Sequence, residues 1–355
     1  MKNITLFMVV VAMVVSLFTV TAFAADDISV YVLGEKVAFD VQPEIINERT
    51  MVPMRSIFEA LGCTVEWDDA NKTAVATKDK TTIKLTQGSN VLTANGNNEL
   101  LDAAPYIKNE RILIPVRAIS ESLECEVRWD GATRTVTVLK KLVDTANVTF
   151  DGAIDGSPRI MIVGNSITRH APSSSIGWNG NYGMAASSIE NDYVHILMKR
   201  VRETHPNAVF CIVQAAGWER GYANDDIFNG YSAAPDFAPD VVIYRLGENV
   251  TADYFAANEM EPALHSFLRY LTQRSNNAEY IFTTNFWANE NVDNVARNVA
   301  KVYGKTAIEL GMYGADDQYK AKGLFEHSGV ANHPGDKGML AISDAIWPEL
   351  EAAIK

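Results

Sequence analysis

Four short runs, 160–163, 208–213, 241–246 and 280–283, are almost entirely apolar and are bounded by Gly, Asn, Pro or other turn formers. Each is too short for a buried helix and reads as a strand covered on both faces. Between them the apolar period changes to that of a helix. Asp192 caps a stretch with Val194, Leu197, Met198 and Val201 on one face. Residues 260–274 carry Leu264, Phe267, Leu268 and Leu271 in the same way, and 292–303 carry Val295, Val299 and Val302. Residues 337–355 read as a terminal helix that Pro348 kinks or breaks, and 306–310 fits either element. Strands alternating with helices predict an α/β domain from 159 to 355, with a mostly parallel sheet covered on both faces.

The pattern before residue 141 is different. Pro43, Arg49, Pro53 and Arg55 return as Pro105, Arg111, Pro115 and Arg117, an offset of 105 − 43 = 62. Leu61, Cys63, Val65, Trp67 and Asp68 return at the same offset as Leu123, Cys125, Val127, Trp129 and Asp130. Each copy reads as a strand ending at Pro, a short helix and a Trp-containing strand. An Asp-led turn and a further strand complete it. Two such units close one small α+β core over 28–140 that neither closes alone. The two Trp residues read more simply as core than as a sugar platform. Residues 141–158, rich in Asp and Gly, read as a linker, with a short strand at 148–150.

Composition narrows the class. The formal charge of −13 argues against a nucleic-acid partner, which needs a basic face. Residues 1–24 have a Lys start, an apolar run from Ile4 to Val20 and the small-x-small end Ala22-Phe23-Ala24, the form of a secretory signal. No later stretch is apolar enough to span a bilayer, so the expectation is a secreted or cell-wall-associated protein with no membrane span after cleavage. The three cysteines leave at least one thiol free, and none has metal-ligand spacing. Cys63 and Cys125 occupy equivalent repeat positions, which makes a disulfide between them worth testing in the fold.

Candidate chemistry sits just past the strand ends. Gly164-Asn165-Ser166 follows the first strand, Ala216-Gly217-Trp218 the second, Gly247-Glu248-Asn249 the third, and Asn332-His333-Pro334 opens the last helix. A parallel sheet brings such ends to one edge. A hydroxyl, an imidazole and fixed N–H donors are the set that acyl transfer needs. In these four blocks residues 159–355 resemble the SGNH hydrolases, the GDSL esterase and lipase family. The resemblance implies a three-layer αβα flavodoxin-like sheet, Ser166 as nucleophile and His333 as base. It also implies an oxyanion hole of Ser166, Gly217 and Asn249. His170, His195, His205 and His265 form no metal-ligand spacing, so neither a metal nor a cofactor is expected. The chain departs from the family pattern at Asn165, where Asp is usual, at Val250, and at Val330, where the acid partner of the His is expected. A backbone carbonyl or Glu326 is then left to orient His333.

The repeat of 28–140 resembles the amine-oxidase N-terminal, or stalk, domain of exported bacterial proteins, which implies a spacer or wall-proximal module. That region contains no His, so imidazole copper ligands are absent. Trp178, Trp218 and Trp287 fall in loops at the sheet edge and are candidate substrate-binding residues, with Glu219, Arg220 and Arg245 as polar neighbours. The combined expectation is a secreted serine esterase acting on acetyl esters of carbohydrate or cell-wall glycan, with wall glycan as a partner of the N-terminal domain. The alternatives are a lipase or thioesterase of the same family, or a non-catalytic glycan-binding envelope protein.

Overall fold

The computed structural model describes residues 27–275 and 277–355, so the segment 1–24 read as an export signal lies outside the described residues. The chain divides into two compact units, one ending at Lys141 and the other spanning Leu142–Lys355. No helix among the described residues is long and apolar enough to cross a membrane.

The first unit is built around its own repeat. Strands Arg49–Pro53 and Arg111–Pro115 pair antiparallel with Val52 opposite Ile114, Met51 opposite Pro115 and Pro53 opposite Leu113. Since 114 − 52 = 62, Val52 pairs with its own repeat copy, which places a local twofold axis between the two strands. Each strand runs straight into a helix, Met54–Ala60 or Val116–Ser122, and the Pro before each helix gives up no N–H that the helix could use. The symmetry extends to the ion pairs. Arg49 meets Asp102, while Arg111 meets Asp40 at 2.7 Å, and 102 − 40 is again 62. Val52, Ile57, Ile114 and Ile119 from both copies share one buried core.

Two outer sheets flank this centre. One is the antiparallel meander Thr64–Asp68, Thr73–Lys78, Thr81–Thr86, Val91–Ala94 and Asn97–Leu100. In the other, Ser29–Val32 at the start of the described chain pairs parallel with Thr135–Lys140 near the end of the unit. Two sequence expectations are corrected here. No disulfide joins Cys63 and Cys125. The repeat places them at strand beginnings in different outer sheets, Cys63 just before Thr64–Asp68 and Cys125 opening Cys125–Asp130, where the Cys125 thiol contacts Leu123 O instead. Trp67 and Trp129 are not core either, being 37% and 41% exposed at the outer ends of edge strands.

Among its described residues the second unit has five strands: β1 (Val148–Asp151), β2 (Arg159–Gly164), β3 (Val209–Gln214), β4 (Val241–Arg245) and β5 (Glu279–Phe282). Their order across the sheet is β1-β3-β2-β4-β5, all parallel except β1. The segment 141–158 is therefore more than a linker, because β1 within it forms an edge of the sheet. Alternation along the strands sorts the core into two. Ile160, Ile162, Phe210 and Ile243 face helices α1 (Tyr193–Thr204) and α5 (Asp336–Ala353). Met161, Val163, Cys211 and Tyr244 face α2 (Ala216–Gly221), α3 (Met260–Leu271) and α4 (Glu290–Val302). Helix α5 runs through Pro348 rather than ending there. Pro348 is exposed, so solvent can satisfy the carbonyl that loses its partner.

The twofold seam of the first unit gives a stability prediction. Ile114 is fully buried at the axis. Ile114→Ala should lower unfolding free energy by about 2–5 kcal/mol, the usual range for such a truncation. Urea unfolding followed by circular dichroism checks it, and an unchanged midpoint would contradict the shared core.

Candidate active site

Strand β2 ends at Gly164, and the chain turns back sharply over its own end. A Cβ on Gly164 would lie 1.8 Å from Thr168 Oγ1, so only glycine permits this approach. Within the turn, Asn165 O accepts the N–H groups of Thr168 and Arg169 at 3.0 and 2.9 Å. Thr168 Oγ1 lies 2.6 Å from the Tyr193 hydroxyl on α1, and Ser166 O accepts from Met184 N at 2.9 Å. The turn is thus held from both sides, and Ser166 is partly exposed at its tip.

Ser166 Oγ is 2.8 Å from His333 Nε2. On the other side of the ring, His333 Nδ1 is 2.8 Å from Gly329 O. A carbonyl only accepts, so Nδ1 carries the proton and Nε2 presents its lone pair to the serine hydroxyl. Burial pushes the imidazole pKa down to about 4, with the Gly329 carbonyl and then the Glu248 charge opposing that shift. The ring is therefore neutral, and able to take a proton, across the ordinary pH range. The position expected to hold an acid, Val330, is buried in the turn Ser328–Ala331, while Glu326 and His327 are exposed. His327 caps that turn through Val330 N. Asp336 accepts from Ser187 and Asn191.

The other two expected donors lie at the ends of β3 and β4. Gly217 is in the first turn of α2, where an N–H has no partner within the helix, and it is exposed. The neighbouring donors are already engaged, Ala216 N by Gln214 Oε1 and Trp218 N by the Tyr231 hydroxyl. Asn249 is held by both ends of its amide. Its Nδ2 donates to Glu219 Oε2 and its Oδ1 accepts from Arg220 Nη2 at 2.8 Å, which leaves one Nδ2 hydrogen over.

Beneath these residues lies a buried ionic cluster whose members the sequence offered only as substrate contacts or not at all. Arg245 is fully buried and binds both Glu248 and Asn165 Oδ1, the latter at 2.6 Å. Asn165 Nδ2 donates to Glu248 Oε2 at 2.6 Å and to Glu219 Oε1 at 2.9 Å. Glu219 Oε1 also accepts from Gly247 N. Gly247 itself has φ +141°, and a Cβ there would lie 2.4 Å from Asn285 Oδ1. Burial, then the Glu248 charge, raise the Glu219 carboxyl above its ordinary range, and its three N–H donors act against them. Arg245 and Glu219 are thus framework, not substrate contacts. The only available signal was the break that Arg245 and Glu248 make in an apolar stretch, since a buried charge must be paired.

The tryptophan expectations divide. Trp178 is 2% exposed, wedged among Tyr182 and Phe325 with its N–H on His170 O. Trp218 is fully buried and stacks on Phe267 at 5.0 Å. Neither has a face to offer a ligand, because the loop carrying Trp178 folds back onto apolar residues and α2 turns Trp218 into the core. Trp287 alone is at the site, partly exposed and edge-on to the His333 ring at 4.9 Å.

Residues 31–138 match the copper amine oxidase N-terminal domain. They do not fit a copper site. No histidine occurs between 28 and 140, and no group of three His, Cys, Asp or Glu side chains that could hold a metal occurs among the described residues. No curated protein matches the chain. Among solved structures, it is similar to a two-domain esterase active on acetylated mannans, crystallised with mannopentaose. That match is 16% identical with a TM-score of 0.34 and covers 56% of this chain and 50% of that one. The chain thus spans half the length of that esterase. It is also similar to a putative GDSL-like lipase from Bacteroides ovatus, 19% identical with a TM-score of 0.37 over 55% of this chain and 98% of that one. A putative GDSL-like lipase from Bacteroides uniformis is 16% identical with a TM-score of 0.37, over 56% and 97%.

Two measurements check this geometry. Covalent labelling of Ser166 by a fluorophosphonate needs a neutral His333, and protonation abolishes it. The labelling rate should therefore hold as pH falls through 6.5 and drop to half only near the depressed pKa of about 4. A midpoint near 6.5 would contradict the buried, neutral ring. Arg245→Met should destabilise the fold by about 3–5 kcal/mol, because it strands buried carboxylates without their cation. Thermal or urea unfolding reads that loss.

Proposed function

We propose that this chain is an exported serine esterase that removes acyl groups, acetyl groups foremost, from carbohydrate. The observation that carries the reading is the 2.8 Å bond from Ser166 Oγ to a His333 whose other nitrogen is fixed on a backbone carbonyl. The strand order β1-β3-β2-β4-β5 supports taking the second unit as the three-layer, flavodoxin-like sheet of the SGNH hydrolases. The signal-like segment 1–24 supports export. Trp287, partly exposed beside His333, supports a ring-shaped alcohol such as a sugar.

In this mechanism Ser166 Oγ attacks the ester carbonyl carbon while His333 Nε2 takes the hydroxyl proton. The oxyanion is met by the Ser166 and Gly217 N–H groups and by Asn249 Nδ2. The intermediate collapses, His333 returns the proton to the leaving alcohol, and an acyl-serine remains. Water then attacks this ester, again giving its proton to His333, and as the bond to Ser166 Oγ breaks His333 returns that proton to Oγ, so the acid leaves and both residues are restored. The Gly329 carbonyl does the orienting work of a triad acid, and the charge of Glu248 favours the transient imidazolium.

Hydrolysis of p-nitrophenyl acetate and of acetylated xylan tests the class, and absence of turnover on every ester offered would overturn it. Ser166→Ala and His333→Ala should each remove most of kcat, and the double variant should be little worse than either. Asn249→Ala should cost about 10²–10³ in kcat, the usual loss for one oxyanion donor. Glu326→Gln should leave kcat nearly unchanged, since that carboxylate is exposed. A drop of about a thousandfold there would reinstate an acid–histidine pair.

A further inference from the structure

The first unit carries two grooves that are copies of one another. One is lined by Trp129 and Arg117 of the second repeat together with Ile45 and Glu48 of the first. The other is lined by Trp67 and Arg55 of the first repeat together with Ile107 and Glu110 of the second. Each residue of one set lies 62 positions from its counterpart in the other, so the twofold axis through Val52 and Ile114 relates the grooves. Their volumes, about 390 and 850 Å³, lie within the range that holds a small ligand.

What lines them is not explained by folding. Trp67, Trp129, Ile45 and Ile107 are 37%, 41%, 43% and 49% exposed, yet all four survive in both copies. Nearby surface positions have diverged freely: Glu66 corresponds to Arg128 and Asp69 to Gly131. A half-exposed indole facing an exposed isoleucine gains nothing for the core, and finding the same pair twice points to a ligand.

The chemistry selects the ligand. The Trp67 N–H is bonded to Asp69 Oδ1 at 3.3 Å, so its polar edge is occupied while part of the ring stays exposed. The charged residues common to both grooves are one Glu, Glu48 or Glu110, and two Arg. One Arg of each pair, Arg49 or Arg111, is neutralised by Asp102 or Asp40. The shared set is therefore close to neutral and offers hydrogen-bond donors and acceptors at the rim of an apolar wall. That combination suits a pyranose ring, whose C–H face packs on an aromatic face while its hydroxyls reach the rim. We propose that each groove binds a short stretch of a neutral polysaccharide. Two sites on one small unit would then hold a polymer with greater avidity than either alone.

The test uses the full chain with Ser166→Ala, so that ester turnover plays no part and the outcome is independent of the esterase reading. Electrophoresis through gels containing soluble xylan or glucomannan should retard the protein. Trp67→Ala and Trp129→Ala should each weaken retention by about tenfold, and the double variant should lose it, with circular dichroism unchanged. Because both rings are at the surface, Trp67→Phe with Trp129→Phe should restore part of the retention. No retardation by any neutral polysaccharide would overturn the proposal, as would full retention in the double alanine variant. Saturable binding of a polyproline peptide that the same double variant abolishes would also overturn it, by assigning the grooves to an extended peptide.

Discussion

The second unit depends on one buried cation. Arg245 closes β4 with its guanidinium in the interior, where a charge is tolerated only when it is paired, and its two terminal nitrogens bind Glu248 and Asn165. The cluster around it draws on three strand ends. Asn165 follows β2, Glu248 and Asn249 follow β4 itself, and Glu219, on the helix after β3, joins through Asn165 and Asn249. A set of hydrogen bonds thus fixes three crossover loops relative to one another beneath the point where Ser166 meets His333. The desolvation cost of Arg245 makes these loops rigid, because no loop can shift without leaving a buried charge or amide unpaired.

The same cluster accounts for an asparagine at position 165. Its amide donates to Glu219 and Glu248 and accepts from Arg245 in one position. An aspartate could accept from the arginine, but it could not donate, and it would put a third carboxylate against two. The valine at position 330 has a similar account. Val330 packs among Trp178 and Ala321, and the turn that carries it presents the Gly329 carbonyl to His333 instead. A neutral acceptor orients the ring without holding a charge in the pocket. Burial then keeps the imidazole deprotonated far below the pH at which a solvent-exposed histidine protonates.

In the first unit the governing constraint is duplication. Val52 paired with Ile114 makes each repeat the template for the other, so its ion pairs and its grooves come in twos. Neither copy could close its core alone, because the buried helix faces pack against strands of both.

Much was legible before any coordinates. The apolar runs and helical periods marked β2 to β5 and helices α1, α3, α4 and α5, because buried parallel strands and one-sided helices leave periods in a sequence that no partner alters. The 62-residue repeat marked the first unit for the same reason. Ser166, Gly217, Asn249 and His333 could be picked out as candidates because each sits just past a strand end or opens a helix, which is a local property. Contact was not local. The pairing of Ser166 with His333 across 167 positions, the carbonyl of Gly329 as its second partner and the burial of Arg245 depend on how the loops close over the sheet. Tryptophan showed the limit most plainly. Of five rings singled out, the two read as core are half exposed and two of the three read as ligand-facing are buried. An indole is at home in either place, so residue type cannot decide between them. Only the packing of distant segments does.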